Sequence, residues 1–461
     1  MTSPTSSAWI SINPTTGKTL ETFEALGERA LAERVARAER AAAAWAATAL
    51  DERAALLRRC AALLLENKNS YAAQMAREMG KPVRQGVAEV EKCAWACEYY
   101  AEHAQGFLTP EIVKTGAAKS YVRFDPLGII LAVMPWNFPF WQLFRFAAPT
   151  LIAGNVVLLK HAHNVSRCAL ELEALFARAG APPGVLQTLL IGNEETLALL
   201  AQDAIRGVTL TGSDRAGAAV AERAGRHLKK CVLELGGSDP FIVLDDVDVA
   251  HVARCAREAR LTNSGQSCIA AKRFLVMQSI ADAFDEALQK ELASARVGDP
   301  LDPETEVGPL AREDLLLALD QQVQRSIAEG ARLLTGGRRL ECPGFFYTPT
   351  LLTNVSPDMP AACEETFGPV AAILRVRSEA EAVAVANASR FGLSASVWSG
   401  DPARAEALVS RLEAGCVFIN SIVKSDPRLP FGGVKCSGYG RELSAYGLRE
   451  FVNIKTVCVG S

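Results

Sequence analysis

Short apolar runs alternate with helix-like stretches through the middle of this chain, and that alternation limits the fold more than any other feature. Residues 129–133 are wholly apolar and 155–160 nearly so, and further short runs stand at 187–191 and 208–211. Segment 166–179 lies between the second and third runs with helical spacing, and 216–224 follows the fourth. Brief apolar runs separated by helices predict strands of a parallel sheet buried on both faces. A second set follows, with strands at 241–244 and 273–277 and helices at 249–260 and 281–293. Upstream, 27–80 reads as successive helices broken near 50–51 and 67–69, and 87–103 as another. Residues 121–124 alternate as a strand that Asp125-Pro126 stops, and 451–459 alternate as a terminal strand. The expected class is α/β.

At 461 residues the chain can hold two or three domains and a large core. Hydrophobic residues make up 49% and charged residues 22%, the balance of an ordinary soluble protein. A net charge of −3 leaves no electrostatic case for nucleic acid or an anionic membrane. The longest apolar stretch, 127–134, is too short to span a bilayer and ends at Pro135. Residues 1–11 lack a basic region followed by an apolar core, so no signal peptide is expected and the expected compartment is cytoplasmic. Twelve cysteines without a CxxC pair, most of them in apolar segments, read as reduced thiols.

Two runs carry chemistry. Cys268 ends Asn263-Ser264-Gly265-Gln266-Ser267-Cys268, and Glu234 lies in Leu233-Glu234-Leu235-Gly236-Gly237. A thiol attacks carbonyls and a carboxylate activates water, so the pair permits a covalent cycle. Flanking Leu233 and Leu235 would desolvate Glu234 and raise its pKa toward neutrality, as a base at neutral pH requires. The bland alternatives are a buried structural cysteine and a charge at a strand end. A third run, Pro135-Trp136-Asn137-Phe138-Pro139, sets an amide donor between two stiffening prolines. Thr211-Gly212-Ser213-Asp214-Arg215-Ala216-Gly217 joins a strand to a helix, where backbone N–H groups would meet a phosphate. It lacks the full Gly-x-Gly-x-x-Gly pattern and by itself is equally a plain turn. His161-Ala162-His163 has two imidazoles without clustered acids or thiols, so no metal site is expected.

In these motifs the chain resembles the NAD(P)-dependent aldehyde dehydrogenase superfamily, most of all its succinate-semialdehyde dehydrogenases. The likeness runs from Ile12-Asn13-Pro14 through Glu364-Glu365-Thr366-Phe367-Gly368-Pro369-Val370 and Pro430-Phe431-Gly432-Gly433-Val434-Lys435 to the terminal strand. It implies a Rossmann-type cofactor domain over 1–107 and 127–236 and an α/β catalytic domain over 237–447. A small β oligomerisation extension over 108–126 and 448–461 would build a homodimer or homotetramer. Cys268 is implied as nucleophile, Asn137 with the Cys268 N–H as oxyanion donors, and Glu234 as the base that hydrolyses a thioester. Pro135, Trp136, Lys160, His163, Gly212, Ser213, Gly217, Leu235, Glu365 and Phe367 are implied around NAD or NADP. Many NAD-preferring members have an acid three residues after the lysine; here His163 leaves a 2′-phosphate unopposed.

Arg145, eight residues after Asn137, matches an arginine that pairs with the distal carboxylate of succinate semialdehyde. A second family arginine, six residues before the cysteine, is replaced by Thr262, and Ser425 and Arg428 are candidates to substitute for it. A dehydrogenase for another small aliphatic aldehyde is the alternative reading. A cysteine hydrolase would want a histidine base, and the five histidines fall in no recognisable hydrolase motif. An inactive binding homologue would have no need of Cys268, Glu234 and Asn137 together.

Overall fold

The computed structural model describes residues 8–460. Five of the apolar strands form a parallel sheet: Leu186–Thr188, Val156–His161, Ile129–Met134, Ile205–Thr211 and Lys230–Glu234 in spatial order. Ile129–Met134 is central and the chain leaves it to fill one side, then the other. The crevice for a ligand therefore lies at the carboxyl ends of the strands flanking that reversal. Register puts Val133 beside Lys160 on one flank and beside Leu210 on the other, and Thr211 beside Glu234. A sixth strand, Gly438–Tyr439, returns from far along the chain and pairs antiparallel with Glu234 and Leu233.

The second sheet has seven strands: Arg332–Thr335, Thr350–Thr353, Val370–Val376, Arg273–Met277, Pro240–Val243, Ser394–Trp398 and Cys416–Ile419. Only the Arg332–Thr335 edge runs antiparallel to its neighbour. Separate apolar clusters cover this sheet's two faces. A third, three-stranded sheet joins Glu111–Ile112, Lys119–Pro126 and Val452–Val459, and leaves Ile112 and Ile454 exposed. Among the described residues no helix is long and apolar enough to cross a membrane.

Two helices depart from expectation. Leu50–Met79 is one unbroken helix of 30 residues, not two pieces divided at 67–69. Packing against the following helix, Val83–Leu108, outweighs the weak helix preference of two asparagines. Lys68 also pairs there with Glu91. Trp141–Ile152 is a helix whose twelve residues are all buried, so it has no polar face to mark it.

That buried helix and the loop before it are fixed by one ion pair. Lys81 and Glu89, both inaccessible to solvent, pair side by side. Glu89 Oε1 also accepts from the Phe140 and Trp141 N–H groups at 2.9 Å each, and Lys81 Nζ stands 3.6 Å from the Phe138 ring centre. Glu89→Gln would keep the shape and strand the Lys81 charge. Losing one partner of a buried pair costs roughly 3–5 kcal/mol. The variant should therefore melt several degrees below wild type in a calorimetric scan; an unchanged Tm would show the pair to be dispensable.

Candidate active site

Carboxyl ends of the first sheet's strands deliver the predicted residues to one crevice. Pro135 and Trp136 follow Met134, Lys160 lies one residue before the end of its strand, Gly212 follows Thr211, and Leu235 follows Glu234. The loop that carries Cys268 approaches these strand ends, since a Cβ on Gly237 would lie 2.7 Å from the Cys268 carbonyl oxygen.

That loop is bent in a way few sequences tolerate. Asn263, Ser264 and Gly265 take φ of 55°, 56° and 75° in succession. Non-glycine residues pay for this conformation, so the surroundings must hold it. Asn263 Nδ2 donates to Asn137 O at 2.8 Å and to Gln266 O at 3.0 Å, and Asn263 N–H donates to Gln85. Two buried cations, Arg260 and Lys272, take the loop's carbonyls. Arg260 donates to those of Gly265 and Ala271, and Lys272 Nζ to those of Ser267, Cys268 and Ala270 at 3.0, 2.8 and 3.3 Å. Gly265 has no room for a side chain, since a Cβ would sit 2.3 Å from the Gly368 carbonyl oxygen.

Cys268 emerges half-buried from this scaffold. Burial pushes its thiol up to about 12, while Arg145 and Lys272 pull the other way. Asn137 is buried, and its Nδ2 donates to the Gln266 carbonyl at 3.1 Å, two residues before the cysteine. An amide nitrogen has two protons, so this bond leaves one for another acceptor.

Glu234 sits at its strand end, 2% exposed, with Oε1 lacking any hydrogen-bond partner in the structure. Its Oε2 is 4.0 Å from Arg145 Nη2, and Arg145 in turn pairs with buried Glu442 and donates to Thr211 Oγ1 at 3.1 Å. Two carboxylates thus share one guanidinium in a dry site. Desolvation holds Glu234 well above the usual carboxylate range, with Arg145 opposing it. Sequence reading missed Glu442, because nothing local ties residue 442 to residue 145.

A cavity of about 760 Å³ opens beside Cys268, lined among others by Lys92, Trp141, Arg145, Ser425 and Phe431. Of the proposed substrate contacts, Arg145 and Ser425 reach it. Arg428 does not: it is exposed, paired with Asp426 two residues away and stacked over Trp95. A neighbouring acid satisfied it locally, which its sequence context, Asp426-Pro427-Arg428, already allowed.

The nucleotide candidates occupy the opposite side. Trp136 meets Phe367 edge-on with ring centres 5.6 Å apart. Glu365 Oε1 accepts from the Gly237 N–H at 3.0 Å and lies 3.7 Å from Lys272 Nζ. Gly237 admits this close passage, because a Cβ there would be 2.7 Å from the Cys268 carbonyl oxygen. Ser213 caps the helix Asp214–Arg226 by accepting from Ala216 N–H, and Gly217 gives way to Leu235. Lys160 is half-buried and its ammonium is lowered by desolvation, and His163 is exposed beside Trp9. The donor set fits a dinucleotide: a helix N-terminus for phosphate, the Lys160 ammonium for a ribose edge and two aromatic rings for a planar base. His161 is committed elsewhere, its Nε2 lying 2.9 Å from the Pro139 carbonyl oxygen.

Comparisons with known proteins identify the family. A profile described as Aldehyde dehydrogenase family matches residues 2–457. A probable NADP(+) succinate-semialdehyde dehydrogenase of Synechocystis sp. is 49% identical over 448 residues, covering 97% of this chain and 99% of that one. An NADP(+) succinate-semialdehyde dehydrogenase of Mycobacterium tuberculosis is 48% identical over 451 residues, covering 97% of this chain and 99% of that one. The crystal structure of the succinic semialdehyde dehydrogenase from Streptococcus pyogenes with NADP+ superposes with a TM-score of 0.96 at 40% identity, covering 98% and 100% of the two chains. The chain belongs to the aldehyde dehydrogenase family.

The raised thiol has a direct consequence. Without nucleotide, Cys268 should react with iodoacetamide at a rate that climbs about tenfold per pH unit beyond pH 9, because only the thiolate attacks. Peptide mass spectrometry would separate it from the other eleven cysteines. A plateau below pH 8 would show that Arg145 and Lys272 outweigh burial.

Proposed function

We propose that this aldehyde dehydrogenase oxidises succinate semialdehyde to succinate with NADP+, releasing a free acid by hydrolysis. The observation that carries the proposal is the shared cavity: Cys268 opens into a space that also holds the cations Lys92 and Arg145 and the hydroxyl of Ser425. A small aldehyde with a carboxylate at its far end suits that lining. The relatives named for this substrate support the same reading.

The Cys268 thiol gives its proton to solvent, and the thiolate so formed attacks the carbonyl carbon to make a thiohemiacetal. The Asn137 amide and the Cys268 N–H donate to the oxygen that gains charge, which favours the transition state over the bound aldehyde. When bound, the nicotinamide supplies the acceptor for the hydride that leaves this carbon. Trp136 and Phe367 would line the site of the ring, and Glu365 would hold its ribose. The resulting thioester is attacked by water, whose proton passes to Glu234. A carboxylate raised by burial is the stronger base for that step. The product leaves as the acid and Cys268 is restored.

Lys160 and His163 would face the adenosine ribose in this reading, and residue 163 itself carries no carboxylate to oppose a 2′-phosphate. The exposed Ile112 and Ile454 on the three-stranded sheet suit an edge that joins copies of the chain into a homodimer or homotetramer.

Steady-state kinetics test the substrate. A charge-assisted contact contributes ~1.5–3 kcal/mol, so kcat/KM for succinate semialdehyde should exceed that for butanal by about tenfold or more. Equal efficiencies would refute the substrate reading.

Glu234→Gln should release one equivalent of reduced nucleotide in a burst and then stall, since water is no longer activated. A variant that turns over steadily at the wild-type rate would remove Glu234 from the mechanism.

His163→Glu should lower the NADP+ to NAD+ ratio of kcat/KM roughly tenfold by placing like charge near the phosphate. No change in that ratio would place residue 163 away from the ribose.

A further inference from the structure

We propose that Lys92, seated with Ser425 and Trp141, is the residue that binds the distal carboxylate of the substrate. The inference rests on the succinate-semialdehyde reading and assigns a residue to its specificity. Three separate elements bring the group together. Lys92 comes from the helix Val83–Leu108, Trp141 opens the helix Trp141–Ile152, and Ser425 lies in the loop that follows Cys416–Ile419.

Lys92 Nζ donates to Ser425 Oγ at 2.8 Å, Trp141 Nε1 donates to the same oxygen at 3.2 Å, and Nζ lies 4.4 Å from the indole ring centre. A hydroxyl that accepts twice keeps its own proton to donate, and an ammonium with one bond made has two N–H groups left. One carboxylate could take all three. Among the described residues no carboxylate forms an ion pair with Lys92, and Asp426 and Glu89 act on it only at longer range. The nearest acid on its own helix, Glu89, is committed to Lys81 and to two backbone N–H groups. Asp426 is committed to Arg428. Burial pulls the Lys92 ammonium down to about 8, and Arg145 adds to that pull, so an incoming anion relieves a cost already present.

The other cations of the cavity are placed differently. Arg145 already pairs with Glu442 and neighbours Glu234, which makes it part of the base's surroundings. Arg257 is doubly bonded to Glu306. Arg84, Arg254 and Lys424 are exposed at the rim, where water screens them. Lys92 escaped the sequence reading because a lysine on an amphipathic helix looks like any solvated charge.

The test compares wild type with Lys92→Met, which keeps length and removes charge, and Lys92→Arg, which keeps charge. Two quantities are measured: the ratio of kcat/KM for succinate semialdehyde over butanal, and inhibition by succinate against butanal as substrate. Lys92→Met should lower the ratio about 10- to 100-fold, chiefly through KM for succinate semialdehyde, and weaken succinate inhibition by a similar factor. Lys92→Arg should stay within a few-fold of wild type in both. Wild-type values in a folded Lys92→Met protein, shown by its melting profile, would overturn the assignment to Lys92 and leave the substrate reading standing. If Lys92→Arg loses as much as Lys92→Met, the position matters for shape and the assignment also fails. If wild type itself shows no preference for succinate semialdehyde, the substrate reading fails and this inference fails with it.

Discussion

Three backbone carbonyls turned toward one ammonium set the geometry of this site. Lys272 is fully buried, and its Nζ gathers the carbonyls of Ser267, Cys268 and Ala270 while resting near Glu365. A charge in such a place is costly unless its donors are all engaged. The loop therefore folds around the ammonium, with three successive left-handed residues just before the cysteine. Arg260 performs the same task one turn earlier. The cost of burying two cations is offset by the carbonyls they bond, and the bent loop that results holds Cys268 beside the cavity. Glu365 accepts from the Gly237 N–H and lies 3.7 Å from Lys272 Nζ, so one carboxylate links the loop after Glu234 to the loop that carries Cys268.

Charge is divided across the cavity by the same logic. Glu234 and Glu442 face a single guanidinium, so one carboxyl of that cluster favours its proton. The opposite imbalance holds at Lys92, where a cation touches a hydroxyl and an indole and, among the described residues, has no ion-paired acid. Arg145, which touches the carboxylate cluster, and Lys92 both line the cavity into which Cys268 opens. This polarity suits a short aldehyde with a negative tail better than a plain aliphatic one.

How much of this the sequence revealed follows from what burial does to residue patterns. Strands covered on both faces are apolar runs, so Ile129–Met134, Val156–His161 and Arg273–Met277 stood out. The helix Trp141–Ile152 is buried all round and lost its period, and Leu50–Met79 ignored two asparagines because its neighbour packs along its length. Cys268, Glu234 and Asn137 stood out because small residues and prolines surround them in unusual runs. Lys272, Arg260, Glu442 and Lys92 did not, since a charged side chain carries no local sign that it will be buried. The return of Gly438–Tyr439 to pair with Glu234 joins residues two hundred positions apart, beyond the reach of any local pattern. Arg428 misled for the converse reason, being satisfied by Asp426 two positions earlier.

The central claim is that Cys268, held by this scaffold, becomes covalently acylated during turnover. Rapid acid quenching of wild-type protein mixed with NADP+ and succinate semialdehyde, followed by peptide mass spectrometry, tests it most directly. The account predicts a mass increase of one succinyl group on the peptide that carries Cys268, absent when nucleotide is omitted. An unmodified Cys268 peptide under conditions of full turnover, or the same group found on another cysteine, would contradict it.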